Sequence, residues 1–184
     1  MRSTGRACDF GVIETERLLL RVWRPDDAKA LDAIRSDPRV VATLGTPADP
    51  PATVIERQTA RLQAHGYCFW AAELRVDAQL TGWCGIQPGF APLAGKTEIG
   101  WMVAPDLWGR GLAREAAAAV LAWTWANTAL DHVVAITTPG NTRSWGLMER
   151  LGMRRVPGGE FDHPALAEGH PLRRHFTYRI ERPR

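Results

Sequence analysis

Two short stretches of the chain carry residue types and spacings suited to chemistry. In the first, Trp108-Gly109-Arg110-Gly111-Leu112-Ala113 follows a β-rich run and Pro105 and leads into an alanine-rich run over residues 112–126. Glycines allow backbone conformations that aim several N–H groups at one point, and a helix N-terminus adds about half a positive charge. Strand, glycine turn and helix together therefore make a seat for an anion such as a phosphate. A bare Gly-x-Gly is equally compatible with a tight strand-to-helix connection that binds nothing. No Lys-Ser or Lys-Thr follows Gly111, so a nucleotide-triphosphatase loop is unsupported, and no third glycine completes a dinucleotide fingerprint.

The second stretch turns at Pro139-Gly140-Asn141 and enters a helical pattern over 142–151 that stops at Gly152. Asn141 is placed to cap that helix, its side-chain oxygen accepting from the N–H of residue 143 or 144. Ser144 falls in the first turn, where a polar residue commonly sits without chemical duty. A third residue, Glu98, lies on a β-run over 97–103 that leads to the glycine turn. Alternation puts Glu98, Gly100 and Met102 on one face of that run and Ile99, Trp101 and Val103 on the other. A carboxylate there can take a proton from a substrate or simply stand in solvent.

The elements that must position these residues read as follows. Residues 17–23 alternate as a first strand, with Leu18, Leu20 and Val22 facing one way. Ala28, Leu31 and Ile34 recur at helical spacing until Pro38 blocks continuation. Residues 46–51 form a loop, and 53–65 a second helix closed by Gly66. Runs 68–75 and 79–86 make a hairpin about residues 76–78, and 87–95 is a Gly- and Pro-rich loop. Residues 112–126 have the strongest helix propensity in the chain. Residues 132–138 read as a buried strand, 153–156 as another, 157–171 as a long loop and 174–180 as a closing strand. Hairpins early and strand-helix-strand units late predict an α/β (α+β) fold around one mixed sheet, a single domain over 1–184 with its core at about 13–182.

Composition narrows the function classes. The 184 residues are 45% hydrophobic and 23% charged, enough to bury a real core. Lys plus Arg at 23 against Asp plus Glu at 20 leaves +3 with no block of like charge, which speaks against a nucleic-acid partner. Cys8, Cys68 and Cys84 are odd in number and lack metal-type spacing, so neither a disulfide framework nor a metal site is indicated. The N-terminus has no signal-type apolar core and no run approaches a membrane span, so no membrane partner and a cytoplasmic location are expected. Trp70, Trp83, Trp123 and Trp125 read as core or interface rather than as cofactor ligands. His163 and His170 read as solvated loop residues, although they could border a substrate mouth. Arg173 and Arg174 read as a solvated edge strand, although they could meet acidic groups on a partner.

The runs EIGWMVAPDLWGRGLAREA and NTRSWGLMERLGM, with TERLLLRVWRPDDA near the start, resemble the GNAT superfamily of N-acetyltransferases, and within it the branch of Rim-type ribosomal-protein acetyltransferases. The resemblance implies a mixed, mostly antiparallel central sheet flanked by helices. It also implies acetyl-CoA as cosubstrate, no metal, and direct attack of a primary amine through a tetrahedral intermediate. Trp108 takes the family's Gln/Arg position, Gly111 the central glycine and Ala113 the final small residue. Backbone N–H groups of Gly109, Arg110, Gly111, Leu112, Ala113 and Arg114 would then hold the phosphates. Backbone at Met102 and Val103 would pair with the pantetheine arm and the acetyl carbonyl, and Asn141 would bond the same arm. By the same likeness Ser144 protonates the departing thiolate and Glu98 accepts or orients the amine proton. The acceptor is then a protein N-terminus or a small-molecule amine, and family habit allows a homodimer. Two rivals are a catalytically silent acyl-CoA-binding regulatory or interaction module and, less favoured, a nucleic-acid binder.

Overall fold

The computed structural model describes residues 12–45 and 49–184, which leaves Cys8 outside them, and nine strands make the sheet among the described residues. The elements run β1 Ile13–Glu14, β2 Leu18–Arg21, α1 Asp27–Ser36, α2 Pro38–Leu44, α3 Pro51–His65, β3 Phe69–Leu74 and β4 Leu80–Pro88. Then come β5 Thr97–Val103, a 3₁₀ turn Pro105–Leu107, α4 Leu112–Asn127, β6 His132–Thr137, α5 Thr142–Arg150, β7 Arg154–Arg155, β8 Phe161–Asp162 and β9 Arg174–Glu181. The strand order is β1-β2-β3-β4-β5-β6-β9-β7, with β8 also on β9. Every pair is antiparallel except β5–β6. The mixed, mostly antiparallel sheet flanked by helices is therefore present.

Both faces of the sheet are covered, which is why β2 reads as nearly continuous apolar sequence. Leu18, Leu20, Trp70, Cys84, Ile86 and Ile99 pack with Ala116, Ala117 and Val120 of α4 and Met148 of α5. On the other face Trp23, Ala71 and Met102 pack with Leu31 and Ile34 of α1 and Ile55 of α3. The alternation expected along β5 thus holds, Ile99 belonging to the first cluster and Met102 to the second. Trp70 is fully buried and meets Trp123 edge-on, and Trp83 stacks on Phe69. Cys68 and Cys84 are buried free thiols.

The structure departs from the sequence reading in places. Pro38 does not only end α1: it is the first residue of α2, where its missing N–H costs nothing and Asp37 caps by accepting from the Arg39 N–H. Pro51 likewise opens α3, while Gly66 closes that helix at φ 77° as expected. The first strand stops at Arg21, whose guanidinium is buried between Asp27 of α1 and Glu73 of β3. β9 as a whole is not an edge strand, because it lies between β6 on one side and β7 and β8 on the other, but Arg174 at its start precedes the β6 pairing, faces only Asp162 of β8 and is exposed as expected. The 157–171 loop contains β8. No helix among the described residues is long and apolar enough to cross a membrane.

Candidate active site

One irregularity in the sheet sets up the site. β5 pairs with β4 along its whole length, from Thr97 opposite Pro88 to Val103 opposite Gly82. It touches parallel β6 in register only at Glu98 opposite Val134. Beyond that point the two strands part, and a wedge opens toward their C-terminal ends. The Ala104 N–H donates to Thr81 at 2.7 Å, so Val103 and Gly82 form a non-hydrogen-bonded pair, and Val103 directs its own N–H and C=O away from β4 into the wedge. The Met102 carbonyl points the opposite way, lying where a Cβ on Gly82 would meet it. Of the two expected backbone positions, Val103 faces the opening and the Met102 carbonyl serves the β4 ladder.

Two helix N-termini flank the mouth of the wedge. β5 leads through the 3₁₀ turn to Trp108, Gly109, Arg110 and Gly111, and α4 begins at Leu112. Gly109 and Gly111 both sit at positive φ, 77° and 79°, in the left-handed region that favours glycine. A Cβ on Gly109 would meet nothing within 4 Å, and one on Gly111 only the Arg17 guanidinium, so neither glycine is there for packing. α4 has no side-chain cap. Among the described residues, none of the N–H groups of Gly109, Arg110, Gly111, Leu112, Ala113 and Arg114 has a protein acceptor, the first bond of the helix being Glu115 N–H to Gly111. Six successive donors at the positive end of a 16-residue helix make an anion seat. Trp108 turns its indole inward and donates from Nε1 to the Val103 carbonyl at 2.7 Å, tying the turn to the strand end.

α5 starts on the other side of the mouth. The Asn141 side chain accepts from the Ser144 N–H at 3.2 Å, the expected cap. The Ser144 hydroxyl is half-buried and has no protein hydrogen-bond partner among the described residues. Arg143 lays its guanidinium over the Trp108 ring, 4.7 Å from the centroid, so α5 and the glycine turn meet across the wedge. Thr138, between β6 and Asn141, is buried with its hydroxyl unpaired. The sequence reading passed over both residues, although Arg143 stood inside the quoted run NTRSWGLMERLGM.

Glu98 enters from the opposite face. It is 8% exposed, which removes the reading of a solvated strand carboxylate. Gln87, directly across on β4, donates from Nε2 to Oε2 of Glu98 at 3.0 Å, and Arg61 of α3 bonds Gln87 Oε1. Burial pushes the Glu98 carboxyl above its ordinary value, while Gln87 and then Arg61 pull more weakly the other way. Glu98 shares its strand face with Met102, whereas α5 packs on the α4 side. Ser144 and Glu98 therefore approach the wedge from opposite faces of the sheet.

The His163 ring is not solvated as expected. It joins Phe90, Phe161 and His175 in one aromatic cluster, with centroids 4.8 Å from Phe90 and 5.1 Å from His175. Burial lowers both imidazoles below their ordinary value. His170 stays outside this cluster, its Nδ1 accepting from the Leu172 N–H. The cluster fastens the β4–β5 loop to the β8–β9 hairpin. Among the described residues no group of three or more His, Cys, Asp or Glu is placed to hold a metal.

A family model described as an acetyltransferase (GNAT) domain matches residues 17–154, three quarters of the chain. The chain belongs to the GNAT acetyltransferase family. The Bacillus subtilis (strain 168) protein YkkB is 30% identical over 142 residues, covering 76% of this chain and 83% of its own. An acetyltransferase from Agrobacterium tumefaciens str. C58 shares 28% identity with TM-score 0.74, over 92% of this chain and 94% of that one. A RimL ribosomal L7/L12 alpha-N-protein acetyltransferase, solved in complex with coenzyme A, shares the fold at TM-score 0.73 and 14% identity, over 92% and 97%. Membership of the GNAT family makes this chain an acetyltransferase. All three quoted motifs lie in the arrangement just described: the second bounds the wedge with α5, the first runs along β5 into the glycine turn, and the third holds β2 and the start of α1.

Proposed function

We propose that this acetyltransferase takes acetyl-CoA as its donor and transfers the acetyl group to a primary amine, a protein N-terminus or a small molecule, by direct attack. The observation that carries the reading is the row of six unpaired N–H groups from Gly109 to Arg114 beside the open β5–β6 wedge. A pyrophosphate fits that row, and an extended pantetheine arm fits the wedge, where the Val103 backbone offers the pairing that β6 does not supply. When bound, the donor brings a thioester whose carbonyl becomes an oxyanion on attack. The Val103 N–H is the group this chain can aim at that oxygen. Asn141 uses its side-chain oxygen for the helix cap, so its contribution to the arm falls to its amide NH₂.

Glu98 has the features of a proton acceptor for the amine: a buried carboxyl with a raised pKa, hydrogen-bonded by Gln87 and placed on the α3 side where the wedge begins. Ser144, with its hydroxyl unclaimed by protein groups, serves as proton donor to the departing thiolate. Approach from opposite faces keeps the two proton transfers apart, so an amine arriving on one side attacks a thioester arriving from the other. Two buried free thiols, Cys68 raised to about 12 by burial and Cys84 raised further, suit a reducing compartment such as the cytoplasm.

The test is release of free thiol from acetyl-CoA over a panel of amines and peptides, with the parent and Ser144→Ala. The variant should bind acetyl-CoA normally and turn over about 10- to 1,000-fold more slowly, the usual worth of a general acid. Coenzyme binding without turnover on any acceptor would instead favour a silent acyl-CoA-binding module. Unchanged turnover in Ser144→Ala would take the serine out of the chemistry.

A further inference from the structure

The Thr15-Glu16-Arg17 segment precedes β2, yet its side chains reach the coenzyme turn. Arg17 sends Nε and Nη2 to the same carboxylate oxygen of Glu115 in the first turn of α4, at 2.7 and 2.6 Å. Its Nη1 donates to the Arg110 carbonyl at 2.8 Å. The Arg17 N–H donates to the other Glu115 oxygen at 2.8 Å, and the Thr15 hydroxyl to that oxygen at 2.5 Å. One guanidinium thus bridges the start of α4 and the peptide between the two positive-φ residues.

That peptide has two ways to lie. Glycine tolerates both signs of φ, so the 110–111 peptide plane can turn over with little steric cost at Gly111. In a trans peptide the carbonyl of residue 110 and the N–H of residue 111 point in opposite directions. Pinning the Arg110 carbonyl back toward β2 therefore turns the Gly111 N–H outward, in line with the other free donors of the turn. The same contact has a second effect. A carboxylate in the first turn of α4 suits the helix dipole but repels a phosphate seated there, and Arg17 neutralises it.

We propose that Arg17 is a positioning residue of the coenzyme site, which sets the Arg110–Gly111 peptide and neutralises Glu115 so that the turn presents its N–H groups to the phosphates. This rests on the acetyl-CoA reading above. It separates phosphate recognition from thioester chemistry, so the decisive comparison is between acetyl-CoA and S-acetyl-pantetheine, which carries the same thioester without phosphates.

In Arg17→Ala, KM for acetyl-CoA should rise about 10- to 100-fold, the worth of one or two charge-assisted contacts. kcat at saturation and KM for the amine should stay within about twofold to threefold, and kcat/KM with S-acetyl-pantetheine should match the parent. Arg17→Lys keeps a charge beside Glu115 but loses the fork that reaches two partners, so its KM should fall between parent and Arg17→Ala. That variant also carries the test if Arg17→Ala proves too unstable to assay. Equal losses with the two donors would mean that Arg17 merely supports the fold, and an unchanged KM for acetyl-CoA in both variants would equally overturn the proposal. A parent that fails to bind acetyl-CoA would overturn this inference together with the donor assignment, whereas normal binding by parent and variants alike overturns this inference alone.

Discussion

Gly109 and Gly111 allow strain and ligand recognition to be measured separately. Replacing either with alanine places a Cβ at φ 77° or 79°, a left-handed conformation that costs an L-residue about 1–2 kcal/mol. Steric clash adds nothing at Gly109, where the new atom meets nothing within 4 Å, and little at Gly111, where the Arg17 guanidinium is 3.5 Å away. For a chain of this size the strain corresponds to a fall in Tm of about 2–8 °C. Gly152, at φ 84° beyond the end of α5, meets only the Ile180 Cδ1 at 3.9 Å, so Gly152→Ala carries the same strain away from the glycine turn. All three variants should lose similar stability. Gly109→Ala and Gly111→Ala should also lose acetyl-CoA affinity by about 10-fold or more, because one misdirected N–H forfeits a charge-assisted bond of about 1.5–3 kcal/mol. Gly152→Ala should bind as the parent does. Thermal unfolding and coenzyme titration on the same samples decide it, and equal affinity in all three variants and the parent would refute the assignment of the turn to phosphate.

Two further outcomes follow from the site's titration and capping. A carboxyl whose folded pKa is raised binds its proton more tightly in the native state, so the parent should lose stability as pH climbs from the ordinary value of 4.5 through the raised folded value. Glu98→Gln keeps an acceptor for Gln87 and should show no such decline in urea unfolding across that window, while its turnover falls; parallel stability profiles from pH 4 to 9 would mean that Glu98 is not held up by burial. Asn141→Ala should lose about 1 kcal/mol of stability from the missing cap on the Ser144 N–H, and Asn141→Asp should restore it. A fully stable Asn141→Ala would leave the side chain only its ligand role.

Periodicity reported the helices and the central strands well because α4, α5, β4 and β5 are ordered by local signals: an alanine-rich run, an Asn cap, a terminal glycine, strict alternation. The glycine turn was visible for the same reason. Proline was ambiguous, since Pro38 and Pro51 end one conformation and begin another, and only the first sense was read. The place of β9 inside the sheet is a long-range fact with no local signature, which is why it was read as an edge strand. Glu98 reads as polar in a strand, and only the cover supplied by α3 through Arg61, with Gln87 across the ladder, buries it. Arg17, Thr138, Arg143 and His175 gain their meaning from partners distant in sequence or from the shape of the wedge.

The single-point pairing of β5 and β6 also makes the molecule a book with a weak spine. One leaf, β1 through β5 with α1 to α3, is stitched by antiparallel pairing; the other, β6 with β9, β7 and β8, is closed by the chain's last strand. Tension pulling the leaves apart meets almost no backbone bonding at the line between them and is resisted by side chains, those of α4 and α5 across the back and the Phe90–His163 cluster at the loops. A thioester donor lying in that line would act as the missing strand, so each catalytic cycle would bind and unbind the spine.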